Sequence, residues 1–134
     1  MTKLENVEGI GNTFAGKLRK IGIRSANSLL KKGATTRGRE EIAQKSGVSE
    51  KLVLEWVNHV DLFRVKGVGE EYADLLEEAG VDTVPELAQR NPGNLHQTIL
   101  DTNKKKRLVR RPPSKNMVHD WVKQAKSLPR VIQY

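Results

Sequence analysis

The residues of this chain best suited to chemistry are two glycine–apolar–glycine triplets, Gly9-Ile10-Gly11 and Gly67-Val68-Gly69. Paired glycines admit positive φ, and the apolar residue between them can plug a core while the glycines stay outside. Where such a turn opens a helix, backbone N–H groups point outward at the positive end of the helix dipole. A concave set of amides suits a phosphate oxygen, and the missing Cβ lets a polyanion come close. The two triplets differ in charge. Asn12 and Thr13 follow the first, with Lys17 one turn on, whereas Glu70 and Glu71 follow the second, with Asp74, Glu77 and Glu78 beyond. Acids in a first turn stabilise the helix but occupy or repel the place of a phosphate. Anion binding is therefore expected at the first triplet, through Gly9, Ile10, Gly11, Asn12, Thr13, Lys17 and Lys20. The second, formed by Lys66, Gly67, Val68 and Gly69, is expected to bind more weakly and to be mainly structural.

Other chemistries find no support in residue type or spacing. The absence of cysteine removes disulfides, thiolate zinc sites and cysteine nucleophiles. His59, His96 and His119 share no metal-ligand spacing with one another or with carboxylates. Neither triplet has the preceding strand or the third glycine of a dinucleotide fingerprint, and no Gly-Lys-Ser/Thr phosphate loop occurs. No catalytic residue, metal or cofactor is expected, and the chain does not read as an enzyme.

Charge names the class of partner. The 134 residues carry a net charge of +8 with a sequence pI of about 9.9, which favours a polyanion, nucleic acid before membrane. The charge is unevenly spread: residues 1–64 are net +5, residues 65–103 net −6 and residues 104–134 net +9. Lys104, Lys105, Lys106 and Arg107 run consecutively, followed by Arg110 and Arg111. Dipole pairing at a helix end needs one or two cations, and four in a row cover every azimuth. This cluster, with Arg37 and Arg39 of Thr35-Thr36-Arg37-Gly38-Arg39, is expected to supply the phosphate contacts that the acidic second triplet lacks. The chain opens on a charged segment rather than a leader pattern, and no apolar run approaches the roughly 20 residues of a membrane span. A cytoplasmic location without a membrane partner is expected.

The elements that must hold these residues repeat. Val7 to Ala15 aligns with Val65 to Ala73 at an offset of 58, and Leu18, Gly22, Ile23, Ser25 and Leu29 continue the match. A second block pairs Ser49, Leu52, Val53, Trp56 and Val57 with Ser114, Met117, Val118, Trp121 and Val122 at an offset of 65. The second copy therefore holds seven extra residues between about Leu100 and Pro113, where the basic cluster lies. Division into repeats 1–64 and 65–134, with the insertion near 104–113, follows. In the first copy, Thr2-x-x-Glu5 reads as a capping box with Leu4 and Val7 inward. Phe14, Ala15, Leu18 and Ile21 share one face of the helix after the triplet, which Gly22 stops. Ser25 caps a helix ending near Gly33, a further helix spans 37–46 before Gly47, and Ser49 caps the last. In the second copy, Thr83-Val84-Pro85-Glu86 reads as a capping box, 95–107 as a helix and Ser114 as the cap of the final one. Trp56 and Trp121 fall at equivalent inward positions and read as core rather than as base-stacking platforms. Phe14 and Tyr72 also read as core, with the Tyr72 hydroxyl at the surface.

The string apolar-x-Gly-apolar-Gly-x-x-x-Ala-x-x-Leu, present from Val7 to Leu18 and from Val65 to Leu76, resembles the helix-hairpin-helix motif. In that superfamily the hairpin binds DNA backbone without reading sequence. Over nearly its whole length the chain also resembles a bacterial family catalogued as domain-of-unknown-function 4332. Gly38-Arg39, Trp56-Val57-Asn58, Asp61-Leu62-Phe63-Arg64, Arg90-Asn91-Pro92, Asn94-Leu95-His96 and Leu128-Pro129-Arg130 carry that likeness. The resemblance implies an all-α fold of two tandem helix-hairpin-helix (SAM-like) repeats of short helices, related by internal duplication. The expected function is sequence-tolerant DNA binding, with double-stranded DNA favoured. The alternative is a protein–protein interaction module, or a self-associating scaffold that forms homo-oligomers through the acidic second repeat.

Overall fold

The computed structural model describes residues 3–134. It is all-α, with no strand among the described residues. A 3-10 turn, Leu4–Asn6, precedes α1 (Gly11–Lys20), α2 (Ala26–Lys32), α3 (Thr36–Ser46) and α4 (Glu50–Leu62). Then come α5 (Glu70–Glu78), α6 (Val84–Ala88), α7 (Pro92–Lys106) and α8 (Lys115–Ser127). No described helix is long and apolar enough to cross a membrane. The capping box expected from Thr2 lies outside the described residues.

Side-chain caps decide where most helices begin. Ser25 accepts from Ser28 N–H at 3.1 Å, Thr35 from Gly38 N–H at 3.0 Å and Ser49 from Leu52 N–H at 3.2 Å. Thr83 accepts from Glu86 N–H at 3.4 Å, and Glu86 reaches back to accept from Asp82 N–H at 3.2 Å. Ser114 accepts from Met117 N–H at 3.2 Å. α7 starts three residues before the expected Leu95, because Asn91 caps Asn94 N–H at 3.0 Å and Pro92 takes the first helical position. Gly22, Gly47 and Gly80 stop helices with φ of +92°, +77° and +94°.

By its contacts the chain forms two compact units, Met1–Asp61 with Val131–Tyr134, and Leu62–Arg130. The first unit buries Leu4, Val7, Ile10, Ala15, Leu18, Ile23, Leu29, Ile42, Val53, Trp56 and Val57. The second buries Val65, Val68, Ala73, Leu76, Val81, Leu87, Leu95, Ile99, Val118, Trp121 and Val122. Within each unit a glycine turn rests on a tryptophan. Gly9 has φ +85°, and a Cβ there would lie 3.3 Å from Trp56 Nε1; Gly67 has φ +95°, and a Cβ there would lie 3.0 Å from Trp121 Nε1. An aromatic residue of the following helix packs on the same tryptophan: Phe14 on Trp56 at 5.1 Å and 53°, Tyr72 on Trp121 at 5.3 Å and 54°. Both tryptophans are 2% exposed, which makes them core.

A boundary at 64/65 puts residues 131–134 in the second repeat, whereas their contacts place them in the first unit. Ile132 is buried, Gln133 N–H donates to Ala34 O at 2.7 Å, and Tyr134 Oη donates to Asn58 Oδ1 at 2.9 Å. The Gln133 bond satisfies the Ala34 carbonyl in the α2–α3 turn, and the Tyr134 bond ties the same segment to α4.

Candidate nucleic-acid interface

The first triplet forms a turn that leaves its two glycines exposed and spends its middle amide inside the turn, so Ile10 is the buried plug and offers no N–H to an anion. Val7 O accepts from Ile10 N–H at 3.0 Å, Ile10 is buried, and Gly11, with φ +59°, is the first residue of α1. No side chain caps α1 and no acid lies in its first turn. Gly9, Gly11, Asn12 and Thr13 are exposed, and residues 5–14 line a shallow cleft of about 500 Å³. Lys17 and Lys20 are exposed on α1, with Lys17 Nζ 5.5 Å from the Phe14 ring centroid. Glu5 and Glu8 also line the cleft, and Glu5 is ion-paired with Arg19. A hydrogen bond from its own backbone, then the Arg19 charge, hold the Glu5 carboxyl below its usual range against a partial desolvation.

The second triplet departs from this pattern. Gly69 is extended, with φ −98° and ψ −165°, and caps α5 from outside, while Glu70 and Glu71 fill the first turn. Its entry is tied down: Lys66 N–H donates to Gln124 Oε1 at 2.8 Å and Gln124 Nε2 donates to Lys66 O at 3.0 Å. The Lys66 side chain is exposed, and Val68 is the buried plug.

The basic cluster divides. Lys104, Lys105 and Lys106 end α7, and Lys106 pairs with Glu78 at 2.6 Å. Arg107 closes the helix in the left-handed region, and a loop then turns back over α5. Arg107, Arg110 and Arg111 are exposed and line one cleft with Glu71 and Tyr72. Sequence spacing missed two residues that hold this loop. Asn103 grips Val109 through both amide atoms, and the Tyr72 hydroxyl donates to Arg111 O at 3.0 Å. Tyr72 and Arg111 lie 39 residues apart, so no local pattern marked the pair.

Arg37 is exposed at the start of α3, as a phosphate contact requires, but Arg39 is not available for one. Arg39 is 6% exposed, and its guanidinium donates to Gly33 O at 2.8 Å, Gln133 O at 2.7 Å and Thr36 Oγ1 at 3.1 Å. The Tyr134 ring lies 5.8 Å from its Cζ. Three acceptors and a ring consume the cation, so the expectation of a phosphate contact is corrected to a role in joining α2, α3 and residues 131–134. Arg39→Met is expected to cost about 2 kcal/mol or more, because two backbone carbonyls lose a charged donor. Urea denaturation measures that loss.

No solved structure matches the chain. A family model described as "Domain of unknown function (DUF4332)" matches residues 8–128, a span that holds both triplets, both tryptophans and the arginine loop, and the chain therefore belongs to that family.

Proposed function

We propose that the chain is a sequence-tolerant DNA-binding protein, built from two helix-hairpin-helix repeats that arose by duplication. Duplex backbone would be held by the amides of Gly9, Gly11, Asn12 and Thr13, by Lys17, Lys20 and Arg37, and by Lys104, Lys105, Arg107, Arg110 and Arg111, whereas the Ile10 N–H is spent on Val7 O and Lys106 on Glu78. The matching glycine-on-tryptophan turns support common descent of the two repeats. One observation carries the functional reading. Among the described α-helices, α1 alone begins with neither a capping side chain nor an acid in its first turn. Orphan amides at an exposed, uncapped helix start are satisfied by water or by an anion, and basic side chains one turn on favour the anion.

The test is a fluorescence-anisotropy titration against a labelled duplex. Gly11→Val would confuse the result, since Gly11 has φ +59° and a bulky residue there strains the turn, whereas Gly69 is extended. Charge reversal at exposed lysines avoids this. Lys17→Glu with Lys20→Glu is expected to weaken binding at least tenfold or so, and Lys66→Glu by less than about threefold. Equal losses would mean that the wrong turn has been chosen.

A second reading draws on the net −6 of residues 65–103: a protein-interaction module or self-associating scaffold. Salt-sensitive light scattering without DNA, together with no duplex binding at low salt, would favour it.

A further inference from the structure

The cleft under the arginine loop has a composition that a phosphate-tracking surface does not need. It measures about 830 Å³ and lies within the Leu62–Arg130 unit. Its walls are of three kinds. Arg107, Arg110 and Arg111 supply exposed guanidinium groups, none of them in an ion pair among the described residues. Leu108, 37% exposed, and the half-buried Tyr72 supply apolar surface. Glu71, from the first turn of α5, supplies a carboxylate.

The loop that bears these groups is fixed in place. Asn103 Oδ1 accepts from Val109 N–H at 3.0 Å and Asn103 Nδ2 donates to Val109 O at 3.1 Å, while the Val109 side chain is 7% exposed. The Tyr72 hydroxyl holds the far end at Arg111 O, and the Tyr72 ring is itself packed on Trp121. Arg107 adopts φ +50° and ψ +46°, a conformation that costs an L-residue about 1–2 kcal/mol and persists only where the surroundings enforce it. Anchored on both sides, Leu108 is kept at the cleft although burial would favour it elsewhere.

We infer that this cleft takes an unpaired nucleotide of a nucleic-acid strand. The inference rests on the nucleic-acid reading above and names the form that this unit selects. A nucleoside phosphate combines the three chemistries of the walls: an anion for the arginines, a flat apolar face for Leu108 and Tyr72, and N–H donors on the base edge for Glu71. A duplex backbone running over the α5 start would instead bring phosphates onto Glu70 and Glu71. Inorganic phosphate alone would leave Leu108 without a use.

The experiment compares a blunt labelled duplex with the same duplex carrying a short single-stranded overhang, by anisotropy. The overhang is expected to raise affinity about tenfold, the scale of one base packed on a side chain. Leu108→Ala is expected to reduce that gain to about twofold while leaving blunt-duplex affinity unchanged. Arg110→Ala with Arg111→Ala should weaken both probes and abolish the preference. A photoreactive thymidine in the overhang is expected to crosslink within residues 107–111. Equal wild-type affinity for blunt and overhang probes would overturn the inference and leave backbone binding standing. Crosslinking at residues 9–20 instead would overturn it in the same way. Binding to neither probe at low salt would remove both readings. Competition by micromolar adenosine monophosphate would reassign the cleft to free nucleotides and overturn the assignment to a strand.

Discussion

Raising salt from about 50 to about 200 mM is expected to weaken duplex binding several hundred-fold. Neutralising a phosphate releases condensed counterions, so log affinity falls linearly with log salt at about −0.9 per contact. Lys17, Lys20, Arg37, Arg107, Arg110 and Arg111 are all exposed. If roughly five phosphates are met at once, the slope is about −4.5. Lys106 is counted out because Glu78 holds it, and Arg39 because its guanidinium is spent on Gly33, Thr36 and Gln133. Each charge reversal at a contacting lysine should flatten the slope by about one. Anisotropy titrations at four salt concentrations measure this, and a slope near zero would dispose of the electrostatic account. Lys106→Ala provides the internal control: removing a cation already paired at the surface should leave the slope nearly unchanged.

Local rules reached most of the helices because their caps are local. Ser25, Ser49, Thr83 and Ser114 each close a bond to an amide three residues on, and the sequence places both partners side by side. The Asn91-Pro92 start of α7 carries the same kind of signal, a cap followed by proline, three residues ahead of the apolar Leu95. The inward tryptophans were legible because two copies of one pattern place them identically. Long-range pairing was not legible. Arg39 looks like a basic residue in a polar turn until Gln133, 94 residues away, supplies its acceptor. Tyr72 with Arg111 is the same case. The difference between Gly11 and Gly69 was hidden for another reason. Glycine permits both the left-handed and the extended backbone, so identical residues at equivalent positions did not specify which one each adopts. Of the candidate interface, charge and exposure were readable, and the sharing of one cleft by the arginine loop and the α5 start was not.

Gly38→Ala should be among the most damaging single substitutions in the Met1–Asp61 unit, although it lies in a helix. Replacing glycine by alanine inside a helix ordinarily stabilises by about 0.5–1 kcal/mol. Here an added Cβ would stand 2.0 Å from Lys32 O and 3.2 Å from Lys32 C, both backbone atoms of the last turn of α2, and 3.0 Å from Thr35 Oγ1. A flexible side chain could swing away from such a contact, but a helix backbone cannot move without its neighbours. The Gly38 N–H is also the group that Thr35 caps, so a shift of α3 loosens that bond as well. Overpacking of this kind costs about 3 kcal/mol, enough to lower the melting temperature of so small a unit by about 10 °C or more. Gly16 supplies the matched control. It lies within α1, and nothing stands within 4 Å of a Cβ there, so Gly16→Ala should be neutral or stabilising. Circular-dichroism melts of the two variants decide the matter. A stable Gly38→Ala protein would mean that α2 and α3 do not approach this closely, and Arg39 would then no longer reach Gly33 O across the same turn. A destabilised Gly38→Ala protein beside an undisturbed Gly16→Ala protein would establish Gly38 as a packing residue between α2 and α3.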